Sequence, residues 1–295
     1  MRLSEHLAAR GRTKKPLVMT HVVCGYPSFE DNWRELEIMA GFGVDLVELQ
    51  FPFSEPSADG PLFVKANQES LAHGTTVDQC FGFMARVSAH FPFRVLMMGY
   101  YNTAFKMGHE ALVRRLAQAG AVGFILPELP VEEAGELHAL AAAADLAPIV
   151  LMTPTSTDAR LQTLGAAARG FVYVVARKGV TGSSTAMNED VTRLLDRCRA
   201  ATQLPLALGF GVASREDIAF IAEHADIAII GTAALRAWSR ACAHSSRGSS
   251  CCSPALTVGR HSLWVGIHAD CCLSEMWVGI HADCCLPGGG GFGSA

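Results

Sequence analysis

The sequence predicts a single-domain α/β fold, a (β/α)8 TIM barrel, followed by an atypical C-terminal tail. Short apolar, β-branched runs alternate with segments of helical period, which is typical of βα units on a parallel sheet. Eight such units can be placed along the chain, and glycines follow the last three strands. A length of 295 residues suits one barrel of about 250 residues better than two separate domains.

The eight candidate strands are apolar runs of strand length. They are Leu17–Val23, Val44–Gln50, Arg94–Met98, Val122–Leu126, Pro148–Met152, Phe171–Ala176, Leu204–Leu208 and Ile227–Gly231. The helical segments between them include Glu30–Gly41, Glu110–Ala119, Val131–Ala144, Glu189–Arg199 and Arg215–Glu223.

Helix boundaries agree with this division. The acidic residues of Pro130–Glu133 are expected in the first turn of a helix, and Gly41, Gly74 and Gly120 are expected where helices end. An open doubly wound sheet uses the same units, but it would need a Gly-rich fingerprint after the first strand. Only Cys24-Gly25-Tyr26-Pro27 follows that strand, so the barrel is favoured.

Composition indicates a soluble globular protein that binds a small molecule. Half of the residues are apolar and 18% are charged, and a net charge of -4 is spread without a basic stripe. Nucleic acid and an acidic membrane surface are therefore not expected as partners. There is no apolar run of signal-peptide or membrane-spanning length, so we expect a cytoplasmic location.

Two carboxylates lie near the C-terminal end of the second strand, one within the strand and one in the loop that follows. Alternation along the strand puts Glu48 on the same face as Val44 and Leu46, so an inward face would place it at the top of an apolar lumen. Burial there would raise its pKa and suit it to proton transfer, whereas a solvated strand end would leave it a simple polar cap. Asp59 lies eleven residues later, before Gly60, where it could act on a ligand or merely cap a helix.

Glycines after the late strands predict a phosphate site. Thr181 and Gly182 follow the sixth strand, Gly211 follows the seventh, and Gly231 and Thr232 follow the eighth. Backbone N–H groups at such glycines can converge on an oxyanion, and barrels commonly bind phosphate after strands seven and eight. A glycine at a strand end can also be purely steric, so the prediction depends on all three together.

These residues resemble one family, the alpha subunit of tryptophan synthase. Its hallmark segment, Glu-Leu-x-x-Pro-Phe-Ser-Asp-Pro-x-Ala-Asp-Gly-Pro, is matched from Glu48 to Pro61, with Glu55 in place of the first Asp. Similar motifs follow other strands and extend the match over residues 1 to 238. They are Gly25-Tyr26-Pro27, Tyr100-Tyr101-Asn102, Leu129-Pro130-Val131-Glu132-Glu133, Gly179-Val180-Thr181-Gly182 and Gly209-Phe210-Gly211.

The resemblance implies retro-aldol cleavage of indole-3-glycerol phosphate to indole and glyceraldehyde 3-phosphate. Glu48 would protonate C3 of the indole and take the glycerol hydroxyl proton, and Asp59 would accept the ring N–H. The residues implied to bind the substrate are Tyr100, Tyr173 and Phe210 around the indole, and Thr181, Gly182, Gly211, Gly231 and Thr232 around the phosphate.

The resemblance also implies a partner. In the family, indole passes to a beta subunit that holds pyridoxal phosphate in an α2β2 assembly, and the alpha chain itself needs no metal or organic cofactor. Two alternatives stay open: a stand-alone lyase that releases indole, and a catalytically idle barrel that regulates a beta subunit. The idle barrel predicts loss of a carboxylate, yet both are present.

Several residues depart from the family pattern. Gln50 replaces a usual Gly and Glu55 a usual Asp, and both are expected to bear on contact with the partner. His21 replaces an aromatic residue on the first strand, and Val23 and Cys24 replace Thr-Ala. We expect His21 to be bonded to neighbouring backbone rather than to the substrate.

The tail from residue 244 onward departs most. Seven of the ten cysteines lie between Cys242 and Cys285, and the decapeptide Trp264–Leu273 recurs unchanged at 277–286. Adjacent cysteines are poor joint zinc ligands, so we expect no metal site there. We divide the chain into a barrel of residues 1–243 and a Cys-, Gly- and Ser-rich tail of residues 244–295, expected to be disordered and not an evolved part of the fold. The helical pattern of the last helix breaks down after about Ala243, and if the tail displaces that closing helix, the first and seventh helices are expected to lose apolar cover.

Overall fold

The structure is a computed structural model that describes residues 3–176, 189–209, 211–212 and 214–245. Eight parallel strands pair in chain order, and the last pairs with the first to close a barrel. The strands are β1 (Leu17–Val23), β2 (Leu46–Gln50), β3 (Arg94–Met98), β4 (Gly123–Ile125), β5 (Ala147–Met152), β6 (Val172–Val175), β7 (Leu206–Gly209) and β8 (Ile227–Ile230). The predicted barrel is confirmed, with strand ends shifted by at most two residues.

Helices surround the barrel because each βα unit returns the chain to the same end of the sheet. In the described part of the chain they are α1 (Leu3–Gly11), α2 (Phe29–Gly41), α3 (Pro61–Ala72), α4 (Val77–His90), α5 (Tyr101–Met107), α6 (His109–Gln118), α7 (Gly135–Ala143), α8 (Asp158–Ala167), α9 (Glu189–Ala201), α10 (Arg215–His224) and α11 (Thr232–Ser245). None of these described helices has the length and apolar composition needed to cross a membrane.

One predicted helix boundary is wrong. The sequence placed Pro130–Glu133 at the start of a helix, but α7 begins only at Gly135. The preceding residues form turns in which Glu133 N–H donates to the Pro130 carbonyl at 3.0 Å. The Glu132 side chain instead pairs with Arg160 at the start of α8. A contact with another element therefore uses the acidic residue that would have favoured an N-terminal helical turn.

The predicted glycine stops are partly confirmed. Gly74 and Gly120 lie just after α3 and α6 with φ of 80° and 74°, a conformation that favours glycine. Gly41 is still helical, and Gly43 adopts the positive φ of 69° instead.

Strand alternation divides the core into a lumen and an outer layer. Leu46 belongs to the lumen cluster with Met19, Leu96 and Ile149, whereas Val47 and Leu49 belong to the outer layer beneath the helices. Glu48 has the same parity as Leu46. The sequence expectation that Glu48 faces the lumen is therefore confirmed.

The N-terminal end of the barrel is closed by α1. Its Leu3 and Leu7 extend the lumen cluster. The fully buried Asp45 carboxylate accepts bonds from Arg10 at 2.8 Å, Lys14 at 2.8 Å and the Val18 N–H at 2.9 Å. A buried carboxylate is tolerated when it is paired and hydrogen-bonded in this way. The closed bottom leaves the C-terminal ends of the strands as the mouth of the lumen.

The closing helix α11 is present up to Ser245, where the described part of the chain ends. α11 runs from Thr232 to Ser245 and packs on α3 and β1. Its Leu235 is buried with Tyr26 and Phe63, and Trp238 is buried in the outer layer. The described part of the barrel therefore keeps the apolar cover that displacement of this helix would remove.

Candidate active site

Glu48 lies at the top of the apolar lumen, near the end of β2. It is 2% exposed, and its Oε1 atom has no hydrogen-bond partner among the described residues. Its other oxygen, Oε2, is 3.7 Å from Nδ1 of His21. Burial, and secondarily the nearby charge of Asp59, raises the pKa of Glu48 to about 8. A carboxyl group of this kind is protonated at neutral pH and can serve as an acid.

Asp59 lies in the loop between β2 and α3 and points at the same space. Its Oδ2 atom accepts hydrogen bonds from Gln50 Nε2 at 2.7 Å and from the Tyr100 hydroxyl at 3.0 Å. Burial raises the pKa of Asp59 to about 6, and the two hydrogen bonds oppose that rise. It does not cap α3, because the N-cap is Gly60 with Pro61 at the first helical position. The loop thus holds a carboxylate toward the lumen mouth.

Aromatic side chains surround the two carboxyl groups. Tyr100 is buried, stacks on Phe53 with ring centroids 5.2 Å apart, and accepts the Ala58 N–H at 3.1 Å. Burial and the charges of Glu48 and Asp59 raise the pKa of Tyr173 well above its ordinary value, so its ring lies within the field of both carboxyl groups. These rings provide flat apolar walls beside the two acids.

Gly209 has a steric role in this arrangement. A Cβ atom on Gly209 would lie 2.7 Å from Cε1 and 2.8 Å from the hydroxyl oxygen of Tyr173. The glycine at the end of β7 therefore makes room for the tyrosine ring of β6.

The other late glycines lie at the mouth after neighbouring strands. Gly211 follows β7 with φ of 109°, and Gly231 follows β8 directly before α11, where the N–H of Leu235 donates to the Gly231 carbonyl at 3.0 Å. Thr232 is the first residue of α11 and is partly exposed. Helix N-terminal N–H groups are suited to anions. Thr181, Gly182 and Phe210 lie outside the described residues.

The arrangement suits chemistry in which a proton is given and taken beside a ring. At neutral pH Glu48 is in its acid form while Asp59 is largely ionised, because the pKa of Glu48 is raised further. Two carboxyl groups whose surroundings separate their pKa values can take different roles in one reaction. No cluster of three His, Cys, Asp or Glu suited to a metal is found among the described residues.

Comparison with known proteins identifies the relatives of this barrel. The family model for the tryptophan synthase alpha chain matches residues 7–251. The alpha chain of Syntrophotalea carbinolica is 49% identical over 76% of this chain and 88% of its own, and that of Desulfotalea psychrophila is 46% identical over 80% and 93%. A structure of Mycobacterium tuberculosis tryptophan synthase superposes with a TM-score of 0.75 and 31% identity, covering 81% of this chain and 91% of that chain.

The chain belongs to the tryptophan synthase alpha chain family.

In this member of the tryptophan synthase alpha chain family, two residues on strands depart from the family pattern, His21 on β1 and Gln50 on β2, and both lie inside the candidate site. The Gln50 side chain, which was expected to bear on partner contact, is fully buried and bonded to Asp59. Glu55 is exposed at the mouth, where a partner could reach it. His21 is bonded to a side chain rather than to backbone, because its Nε2 lies 2.9 Å from Gln50 Oε1.

Sequence reasoning singled out His21 and Gln50 as departures within this member of the tryptophan synthase alpha chain family but missed their contacts in the candidate site, although a signal existed. His21 has the parity of Met19 and Gln50 has the parity of Glu48, so alternation places both in the lumen. Their contact depends on the register in which His21 pairs with Glu48 and Val23 with Gln50. That register is not readable from either strand alone.

Proposed function

We propose that this chain catalyses the alpha reaction of tryptophan synthase, retro-aldol cleavage of indole-3-glycerol phosphate to indole and glyceraldehyde 3-phosphate, in tryptophan biosynthesis. The proposal depends most on one observation. Glu48 and Asp59 face the same lumen mouth with pKa values of about 8 and about 6, so an acid and a carboxylate coexist at neutral pH.

The proton balance closes on these two residues. Glu48 donates its proton to C3 of the indole, and the positive charge that develops at the ring nitrogen is stabilised by N–H donation to Asp59. The Glu48 carboxylate then takes the proton of the glycerol hydroxyl next to C3. The bond between C3 and the side chain breaks, its electrons return to the ring, and the hydroxyl carbon becomes the aldehyde. Positioned proton transfer of this kind contributes about 10²- to 10⁴-fold to rate.

The remaining residues supply binding. We assign the phosphate to the N–H groups around Gly182, Gly211 and Gly231 with the hydroxyls of Thr181 and Thr232. The positive φ of Gly211 and the start of α11 at Thr232 support this assignment. The indole would lie against Tyr100, Tyr173 and Phe210. Tyr100 additionally orients Asp59, since its hydroxyl donates to that carboxylate at 3.0 Å.

The partner is proposed to be a tryptophan synthase beta subunit in an α2β2 complex. The exposed ring of Phe105, 69% accessible on α5, supports a protein contact near the mouth, because α5 directly follows the Tyr100 that binds the Asp59 loop. Pyridoxal phosphate would be held by that partner and no cofactor by this chain. The cytoplasmic location stays a prediction.

The test is product analysis with the full chain and with a chain ending at Ser245. Both are expected to release indole and glyceraldehyde 3-phosphate in equal amounts from indole-3-glycerol phosphate, faster when a beta subunit is added. Full speed without a beta subunit would favour the stand-alone lyase. Failure of both chains to form either product, alone and in the complex, would refute the proposed function. An inactive shorter chain beside an active full chain would contradict the expectation that the tail is not an evolved part of the fold.

A further inference from the structure

A chain of side-chain contacts connects the two carboxyl groups across β1, β2 and the loop after β2. Gln50 Nε2 donates to Asp59 Oδ2 at 2.7 Å, and Gln50 Oε1 lies 2.9 Å from His21 Nε2. The other ring nitrogen of His21, Nδ1, lies 3.7 Å from Glu48 Oε2. His21 and Glu48 are register partners on neighbouring strands, so their side chains lie side by side in the lumen.

Asp59 determines which groups donate and which accept in this series of side-chain contacts. The Asp59 carboxylate can only accept, so the amide of Gln50 must turn its NH2 group toward Asp59 and its oxygen toward His21. That amide oxygen in turn can only accept, so Nε2 of His21 must carry a proton and donate it. A neutral His21 then has an unprotonated Nδ1, whose lone pair faces Glu48.

The surroundings keep His21 neutral and its ring fixed. The imidazole is buried and stacks on Phe63 of α3, with ring centroids 4.3 Å apart. Burial lowers the pKa of His21 to about 4, since the charged form would lose its hydration. Among the described residues, the ionisable groups that face this part of the site are Glu48 on β2, Asp59 beyond Gln50, Tyr100 bonded to Asp59, Glu128 acting on Tyr100, and Tyr173 across the lumen.

A protonated Glu48 has a use for the unprotonated Nδ1 of His21 as a hydrogen-bond acceptor. Its Oε1 is buried without a partner among the described residues, and its Oε2 lies 3.7 Å from the His21 ring. At this distance the two atoms are beyond a good hydrogen bond, so the Glu48 side chain must move toward His21 to complete the contact. Nδ1 can accept a hydrogen bond from the O–H of a protonated Glu48, but its lone pair repels the oxygens of an ionised Glu48.

We propose that His21 is a positioning residue for Glu48: its Nδ1 orients and further stabilises the acid form of that buried side chain, while Gln50 fixes the Nε2–H tautomer of His21 and connects it to Asp59. This inference rests on the proposed function, because it assigns to His21 the readiness of Glu48 to protonate the substrate. It also explains why a histidine on β1 and a glutamine at the end of β2 replace the family's usual aromatic residue and glycine in the same chain.

The first experiment compares the pH dependence of kcat/KM for indole release in the full-length wild type, His21→Phe and His21→Asn. Phe keeps a flat ring against Phe63 but lacks the acceptor, so the protonated form of Glu48 is less favoured. Its pKa should fall, moving the basic limb of the profile down by roughly half to one pH unit. Asn keeps an oxygen near the Nδ1 position and is expected to retain most of the wild-type limb.

An unchanged basic limb in a folded, active His21→Phe variant would overturn the inference, because a merely structural role lowers the rate without moving that limb. The same result would leave the proposed function intact, since the wild type would still release indole. An inactive wild type would instead refute the proposed function and, with it, this role.

A second experiment measures the tautomer of His21 directly and does not depend on the activity of a variant. Long-range ¹H–¹⁵N NMR of the full-length wild type, with the His21 signal assigned from its loss in His21→Asn, reports which ring nitrogen is protonated. We expect the Nε2–H tautomer, unchanged from pH 6 to pH 8. A Nδ1–H tautomer, or protonation of both nitrogens in that range, would overturn the inference.

Discussion

Asp59 shows how opposing local effects set a protonation state. Burial disfavours its charge and raises its pKa, whereas donation from Gln50 and Tyr100 stabilises the carboxylate. The pKa of about 6 is the balance of these effects. At neutral pH this balance leaves a carboxylate able to accept the ring N–H of a substrate.

Removing one of these donors should therefore move the acidic limb of activity. In Gln50→Leu the carboxylate loses a hydrogen bond and the pKa of Asp59 rises. A bond to a charged group is worth about 1.5 to 3 kcal/mol, so the acidic limb of kcat/KM should shift upward by roughly one to two pH units. Tyr100→Phe is the matched variant and should shift the same limb in the same direction. A limb that stays in place or moves down in both would refute this account of Asp59.

At this scale the sequence predicted the two carboxyl groups and the apolar surroundings of Glu48, but not the side chains that bond to Asp59. The hallmark segment points to Glu48 and Asp59, and alternation indicates that Glu48 faces inward. The Gln50 contacts depend on where the loop returns Asp59 above the end of β2 and on the register between β1 and β2. Both are tertiary features with no periodic signal in the sequence.

Among the elements, α11 is the one whose presence the sequence left most open. The residues that follow it have an unusual composition, which raised the possibility that the closing helix is displaced. Packing determines the outcome instead, because Leu235 and Trp238 are buried against α3, β1 and the outer layer. In proteins most of the stability of a helix comes from such packing of its apolar face.

Truncation of Leu235 measures how much α11 contributes to the folded barrel. Leu235 is 2% exposed and packs with Tyr26 and Phe63, so Leu235→Ala should lower the free energy of unfolding by about 2 to 5 kcal/mol. The exposed neighbour Arg236 provides the control, since Arg236→Ala should change it by less than about 0.5 kcal/mol. Chemical denaturation followed by circular dichroism would measure both. Equal stability of the two variants would show that α11 is not part of the cooperative core.

Over the whole molecule, stability and chemistry lie at opposite ends of the barrel. The N-terminal end is filled by Leu3 and Leu7 and fixed by the ion pairs of Asp45. The C-terminal end holds buried polar groups, including Oε1 of Glu48, which has no partner in the described part of the chain. Barrels generally separate these tasks in the same way. The βα periodicity predicted this architecture because every strand is short, apolar and followed by a helix.

Burial of Glu48 at the mouth of the barrel lowers the free energy of unfolding at neutral and higher pH. An unfolded Glu48 ionises near its ordinary pKa of 4.5, whereas the folded group does so only at about 8. Stability from this group is fully present below the unfolded pKa and is lost as pH rises through the folded pKa. Glutamine in its place removes that loss, so Glu48→Gln should be at least as stable as the wild type at pH 8.

The rate of indole release from saturating indole-3-glycerol phosphate by Glu48→Gln tests the central claim most directly. The control is Glu35→Gln, which alters another buried glutamate, on α2, outside the site. The account predicts that Glu35→Gln stays active while folded Glu48→Gln loses at least about 10²-fold in kcat, because it can neither give nor take the proton. A Glu48→Gln variant that releases indole at the wild-type rate would contradict it.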